Sequence, residues 1–389
     1  MKAAFIHDHN FVYNSVTDLY YDGSGGAFDE KLWRRYLELF DSLTVVGRKI
    51  EKLPNKLVVS SAENVNFKLI EGASGFKSVL KNKKKIQEEL KTIIDVADFV
   101  IVRLPSTLGS WAFDICNTTN KKYVVEIVGD PFEAYWHHGS WIGKFIAPLE
   151  AIKLKKIVSK AQHVIYVTQE VLQKRYPCPN KTEAISNVRL EEVVNEGIVR
   201  EFYGRESDIF RIGLIGSFHV QYKGHLEALK ALKYLKDQGY SGIELSLVGT
   251  GDPSWVEDLA RHYQVENQVN IIGALNAGKD GIMPFLDDMH IYMHPSKTEG
   301  LPRVIIEAMS RGKICLGSDV GGTRELLEEK YIHKPGSWEL LAKQVEGILK
   351  CGTVEKIAIA CRNLHVAEKY TEYVLQNRRA IFIKEIIDL

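Results

Sequence analysis

Ser296-Lys-Thr-Glu-Gly-Leu-Pro-Arg-Val-Ile-Ile-Glu-Ala-Met-Ser-Arg-Gly312 is the stretch from which the rest of the chain is read. An apolar run, Met289 to His294, precedes it and reads as a strand. Pro302 stands where a helix begins, since proline suits the first helical position. Gly312 stands where that helix stops. Glu299 lies just before the helix and Glu307 about a turn and a half inside it. The first amides of a helix lack internal acceptors and carry the positive end of its dipole, so this corner suits a phosphate. One carboxylate at its mouth and one along its flank can each accept hydrogen bonds from sugar hydroxyls. Such a corner fits a nucleotide sugar.

The surrounding sequence repeats the same strand-then-helix pattern. Arg211–Gly216 starts a sheet, followed by helix Gly224–Asp237, strand Ile243–Val248, helix Ser254–Tyr263, strand Val269–Ile272 and helix Asp280–Leu286. Met289–His294, Pro302–Arg311 and Ile314–Gly317 continue it, which predicts a doubly wound parallel sheet. In the other half, strand-like runs recur at Lys2–His7, Leu43–Val46, Leu57–Ser60, Phe99–Val102, Tyr123–Val128 and His163–Thr168, with helical patterns between several of them. That predicts a second α/β domain with ligands beyond the C-terminal strand ends, where Arg103, Gly129 and Asp130 fall. A glycine-rich loop, Tyr21-Asp-Gly-Ser-Gly-Gly-Ala27, follows the first strand after a polar loop and leads into a helical pattern. The arrangement lets a backbone come close to a phosphate or sugar, or simply makes the turn. Residues 188–208, charged and weakly periodic, read as the linker. The expected domains are 1–195 and 208–369, with 370–389 a final helix.

Two glutamates eight positions apart in E-G-L-P-R-V-I-I-E-A-M-S-R-G resemble the signature of glycosyltransferase family 4. The resemblance extends through Arg211–Gly224, Leu245–Gly251, Val269–Gly273 and Gly317–Glu325. It implies a GT-B fold: two Rossmann-like domains facing a cleft, the N-terminal one for the acceptor and the C-terminal one for the donor. The final helix would cross back to the first domain. It also implies transfer from a nucleoside diphosphate sugar with retention at the anomeric carbon. Glu299 would then lie near the donor sugar and Glu307 on the ribose hydroxyls. Lys223, in the loop S-F-H-V-Q-Y-K-G, would hold the donor diphosphate. The family's neighbouring arginine is replaced by Ser217 and its first-domain histidine by Gly129. Charge neutralisation then falls on Lys223 and on the helix end around Gly300, Leu301 and Val304, with His219 or Arg303 as further candidates. Asp130, or His137 and His138, are candidates to stand in for the histidine; both histidines also read as surface or packing residues. Arg103 joins those two histidines as an acceptor-side candidate. Gly249 reads as a tight turn near the donor pocket. The backbone at Gly273 and Ala274 would read the base, and Gly25 and Gly26 would face the cleft.

Bulk properties narrow the setting. A net charge of +1 gives no reason to expect nucleic acid. Five cysteines without metal spacing suggest reduced thiols and a cytoplasmic protein. No run of eighteen apolar residues occurs, so no membrane span is expected. No D-x-D triplet occurs either, which fits a metal-independent site with no cofactor beyond the UDP- or GDP-sugar. Lys144–Lys160 interleaves Phe145, Ile146, Leu149, Ile152, Leu154 and Ile157 with five lysines. It reads foremost as a helix packed on the sheet with a solvated lysine face. The alternative is an amphipathic helix against anionic lipid at the inner face of the cell membrane. The acceptor implied by the resemblance is a saccharide or lipid-linked glycan of the bacterial surface. A sugar-nucleotide epimerase and a catalytically silent binding subunit are the rival readings.

Overall fold

This structure, a computed structural model, describes residues 1–388 apart from 24–27, 52–56, 74, 137–140 and 277. The expectations for Gly25, Gly26, His137 and His138 therefore lie outside the described residues. In the first lobe the strands are β1 (Lys2–Asn14), β2 (Leu19–Asp22), β3 (Ser42–Lys49), β4 (Val65–Ile70), β5 (Phe99–Leu104), β6 (Tyr123–Ile127), β7 (His163–Tyr166) and β8 (Lys181–Ala184). They run in the order β4-β3-β1-β5-β6-β7-β8, all parallel, with β2 antiparallel beside β1. The second lobe holds β9 (Phe210–Ile215), β10 (Ile243–Val248), β11 (Val269–Gly273), β12 (Ile291–His294), β13 (Ile314–Ser318) and β14 (Ile332–His333). Their order is β11-β10-β9-β12-β13-β14, parallel throughout. Central strands are apolar without alternation because both faces are covered: every residue of β5 and β13 is buried.

The two lobes face a cleft, as a GT-B fold requires, and the last helix ties them together. Helix Glu372–Asp388 buries Phe382, Ile383 and Ile386 against the first lobe. Its first amide, Glu372 N–H, donates to Leu190 O at 2.7 Å, and Lys181 pairs with Glu385 at 2.6 Å. A second tie is a carboxylate. Glu325, on the second lobe, accepts backbone N–H bonds from Gln169, Glu170 and Val171 at 2.6, 3.0 and 3.0 Å. It does cap a helix start, but the helix Val171–Arg175 belongs to the opposite lobe. Replacing Glu325 with alanine should remove about 1 kcal/mol or more of interlobe attraction. Faster hydrogen exchange at residues 169–171 is the expected readout, and unchanged exchange would dismiss the latch.

Several expectations need correction. No polar loop follows His7: β1 continues to Asn14 and turns back through a hairpin onto β2. Leu57–Ser60 is not a strand; within it only Val59 forms a bridge, to Tyr21. The edge strand is Val65–Ile70, whose alternation of buried and open residues suits a half-covered position. The supposed linker contains helix Glu196–Gly204, with Val199 and Tyr203 buried in the second lobe. In helix Trp141–Val158 only Gly143, Ala147, Leu154, Ile157 and Val158 are buried. Phe145, Leu149 and Ile152, expected to pack on the sheet, are 64 to 68% exposed.

Candidate active site

Backbone sterics bring the corner together. Gly224, just before helix His225–Asp237, has φ +84°, and a Cβ there would lie 2.2 Å from Pro295 O. Only glycine lets the Lys223 loop lie against the segment after β12. Lys297 N–H then donates to Tyr222 O at 2.7 Å. On the other side, Gly321 has φ +49° and would place a Cβ 2.2 Å from Gly300 O, while Gly322 N–H donates to that same oxygen at 2.7 Å. Two segments distant in sequence are thus pressed around residues 296–301. Helix Arg303–Ser310 follows, with Pro302 at its N-cap rather than inside its first turn, and Gly312 just past its end with φ +64°.

Glu299 and Lys223 meet here. Lys223 Nζ donates to Glu299 Oε1 at 2.7 Å. His294 Nε2 reaches the same oxygen at 2.8 Å, and Tyr292 OH lies 3.0 Å from His294 Nδ1. A carboxylate only accepts, so His294 donates from Nε2 to Glu299. Burial, and then the nearby Glu299 charge, push the Tyr292 phenol well up, so it keeps its proton. Burial alone would raise Glu299; the His294 and Lys223 charges and hydrogen bonds outweigh it and hold the carboxyl well below the usual range. Its other oxygen, Oε2, has no partner among the described residues. His294 was missed in the sequence, where it reads as the last residue of an apolar strand; its position five residues before Glu299 was the available signal.

Glu307 lies on helix Arg303–Ser310, just over one turn from its start, and accepts no hydrogen bond at its carboxylate among the described residues. Protein walls on both sides push it up to about 7, with the Arg303 charge pulling the other way, although water still reaches the half-buried side chain. Arg303 is exposed and makes no ion pair within the distance of a salt bridge among the described residues. The strand ends form the floor. Gly216 N–H donates to Val248 O at 2.8 Å and Gly249 N–H to Gly273 O at 2.9 Å. A Cβ at Gly249 would sit 2.0 Å from Gly216 O, so that glycine serves close packing of two loops. Gly273 has φ +82°, and Ala274 after it is exposed. Ser217 Oγ donates to Thr250 O at 3.1 Å, and the exposed His219 donates its backbone N–H to Ser217 Oγ at 3.3 Å. Neither replaces a cation.

In the first lobe, Gly129 comes to within 3.8 Å of where a Cβ on Gly300 would be, so the lobes nearly touch beside Glu299. Asp130 is corrected to a structural role. Its carboxylate binds Arg175, accepts Tyr176 OH at 2.5 Å and caps Phe132 N–H at 2.9 Å, leaving no charge free for the cleft. Arg103 is buried near the aromatic rings of Phe5 and Phe28, 5.8 and 5.4 Å from their centroids.

A two-lobed parallel fold with a lysine, two carboxylates and open helix amides at its cleft defines a GT-B glycosyltransferase. The chain belongs to the group 1 glycosyl transferases, whose family model matches residues 202–363. It is 37% identical over 352 residues to protein CapJ of Staphylococcus aureus, covering 89% of this chain and 85% of that protein. Among solved structures, Anabaena HepE in complex with UDP and glucose superposes with a TM-score of 0.68 at 16% identity, over 99% of this chain and 100% of that one. WaaG, a glycosyltransferase involved in lipopolysaccharide biosynthesis, superposes with a TM-score of 0.66 at 16% identity, over 98% and 99%. At those identities the two structures establish the fold alone. No described helix is long and apolar enough to cross a membrane.

Proposed function

We propose that this chain is a family 4 enzyme that moves a sugar, with retention and without a metal, from a UDP- or GDP-sugar to a hydroxyl acceptor. The convergence of Lys223 and His294 on Glu299, at the open amino end of helix Arg303–Ser310, carries this reading. The bond between the anomeric carbon and the β-phosphate oxygen breaks, and negative charge grows on the diphosphate. The Lys223 ammonium, held on Glu299, and the amides around Leu301–Val304 would meet that charge. Glu299 holds Lys223 and offers Oε2 to a sugar hydroxyl, while Glu307 accepts from the ribose. The acceptor hydroxyl attacks the face from which the phosphate departs and passes its proton to the leaving phosphate oxygen. No second carboxylate is needed, and Asp130 is not available as one. Melting the protein against UDP-, GDP- and ADP-sugars in EDTA tests the reading. One of them should stabilise the chain, and turnover with a matched acceptor should be unaffected by the chelator. Stabilisation by none of the three would refute it.

A second reading is a silent nucleotide-sugar-binding subunit, favoured by Ser217 standing where a phosphate-binding cation is expected and being tied to Thr250. Release of UDP or GDP from the bound donor, even slow hydrolysis to water, would exclude it.

The setting we propose is bacterial surface glycan assembly. The acceptor lobe would meet the cytoplasmic membrane face through Trp141, Ile142, Phe145, Leu149 and Ile152, all more than half exposed and flanked by exposed Lys144, Lys155, Lys156 and Lys160. Apolar side chains bordered by lysines suit an anionic bilayer surface. Replacing Phe145 and Leu149 with aspartate should abolish flotation with anionic vesicles, and glutamine at Lys153, Lys155, Lys156 and Lys160 should weaken it. Flotation unchanged in both variants would remove the membrane contact.

A further inference from the structure

Two donors share one oxygen at the donor corner, and they are held in different ways. Lys223 Nζ and His294 Nε2 both lie on Glu299 Oε1, at 2.7 and 2.8 Å. Lys223 ends a single turn of 3-10 helix, Gln221–Lys223, and its side chain is partly open to solvent. Its ammonium rides on a flexible four-carbon stem. His294 is the last residue of β12, in register with Gly317 of β13, and is 3% exposed. Tyr292, two residues earlier and so on the same face of the strand, places its hydroxyl 3.0 Å from Nδ1. The chain that leads from β12 to Glu299 is tied down as well. Ser318 Oγ donates to Ser296 O, and Ser296 Oγ to Thr298 O at 3.0 Å. The imidazole is therefore the fixed partner of Glu299 and the ammonium the movable one.

Among the described residues no other hydrogen bond reaches the Glu299 carboxylate. A bound donor changes the balance between its two partners. A diphosphate carries more negative charge than one carboxylate, so it draws the ammonium toward itself. The His294 N–H is then what keeps Glu299 from turning away from the sugar.

We propose that His294 is the positioning residue of the donor site: it holds Glu299 by Oε1 while Lys223 passes from that oxygen to the leaving diphosphate, so that Oε2 stays presented to a hydroxyl of the donor sugar. This rests on the transferase reading and divides the labour within it. Lys223 serves the phosphates, and His294 serves the sugar through Glu299. The division has a consequence that a merely space-filling histidine would not have. Loss of the imidazole contact affects recognition of the sugar and leaves recognition of the nucleotide alone, whereas loss of the ammonium does not misplace Glu299. A small displacement of a group that orients a substrate is enough to slow the reaction as well.

The test is calorimetry on the full chain, comparing UDP with UDP-glucose and GDP with GDP-mannose and using the pair that binds. Glutamine can place its amide nitrogen near where Nε2 stands, and asparagine only near where Nδ1 stands. His294→Asn therefore keeps a polar group beside Tyr292 and loses the reach to Glu299. The ratio of the nucleotide-sugar Kd to the nucleotide Kd should rise about tenfold or more in His294→Asn, with the nucleotide Kd itself unchanged and nucleotide release during turnover slowed. In His294→Gln the ratio and the turnover should both return to within about threefold of wild type. In Lys223→Ala the ratio should stay near wild type while turnover falls, because His294 still holds Glu299. If His294→Asn does not fold, Tyr292→Phe, which frees the ring at Nδ1, takes its place with a rise of about threefold in the ratio; an unchanged ratio there overturns the inference. Equal losses in the asparagine and glutamine variants mark a space-filling role and overturn it too, as does a ratio that rises in Lys223→Ala and not in His294→Asn. Glu299→Ala separates the inference from the reading beneath it. A raised ratio in Glu299→Ala with an unchanged one in His294→Asn removes the inference and leaves the transferase reading standing. An unchanged ratio in Glu299→Ala, or a wild type that binds neither pair, counts against that reading instead.

Discussion

Lys223→Ala should lower kcat by about a hundredfold, the loss expected when one preorganised donor to a developing oxyanion is removed. The expectation follows from geometry. The ammonium is held at 2.7 Å from Glu299 by a loop that glycine at 224 alone permits, so it needs no reorganisation when the leaving diphosphate gains charge. Among the described residues no second cation stands at the strand end, where Ser217 is bound to Thr250. KM for the donor should change much less than kcat, since the ground-state diphosphate still has the helix amides. Single-turnover measurement of nucleotide release checks this, and near-normal turnover would remove Lys223 from the leaving-group role. Lys223→Arg should rescue only in part, because a planar fork does not fit the place of a point charge beside Glu299 and His294.

Glu307→Ala should weaken donor binding by about tenfold to a hundredfold, the range for losing hydrogen bonds to a charged acceptor, with kcat at saturation much less affected. Its carboxyl adds a pH signature. Being raised to about 7 by burial, it is protonated in the folded chain at a pH where the unfolded chain has already ionised. Its contribution to stability is therefore full below the unfolded value of about 4.3 and is lost as pH rises through about 7. Donor affinity runs the other way, because the ribose hydroxyls are best met by the ionised form. The donor Kd should rise as pH falls from 8 to 6, and Glu307→Gln should flatten that dependence. Titrating the donor by calorimetry at several pH values decides it; an equally steep profile in Glu307→Gln would assign the titration elsewhere. Glu299 contributes nothing to this window, since its folded value lies below the ordinary carboxylate range and its stabilisation is lost only as the solution becomes strongly acidic.

Recognition of the second lobe from sequence succeeded because its strands are short apolar runs at regular spacing and its turns are marked by glycine and proline at positions that sterics enforce. Gly224, Gly312 and Gly321 all adopt positive φ. The first lobe was harder to read. Val65–Ile70 has the alternation of an edge strand and hides among polar neighbours, whereas Leu57–Ser60 is apolar but forms only one bridge. Helix Glu196–Gly204 carries too few apolar residues to stand out from a charged segment, yet Val199 and Tyr203 are enough to anchor it. Asp130 shows the limit for single residues: a carboxylate after a strand reads the same whether it faces a substrate or an arginine forty-five residues later.

Sequence alone determined the two parallel sheets and the helix start flanked by Glu299 and Glu307, because these are written in local periodicity and in residues a few positions apart; the crossing of the final helix was expected only from the resemblance to glycosyltransferase family 4. Only the tertiary structure decided which groups share a charge. It brought His294 onto Glu299, spent Asp130 on Arg175, aimed Glu325 at the opposite lobe and set Arg379 of the final helix beside Glu126. Electrostatic partnership falls off over a few ångströms and is indifferent to separation along the chain, so residues hundreds of positions apart acquire their roles only when the fold sets the distance.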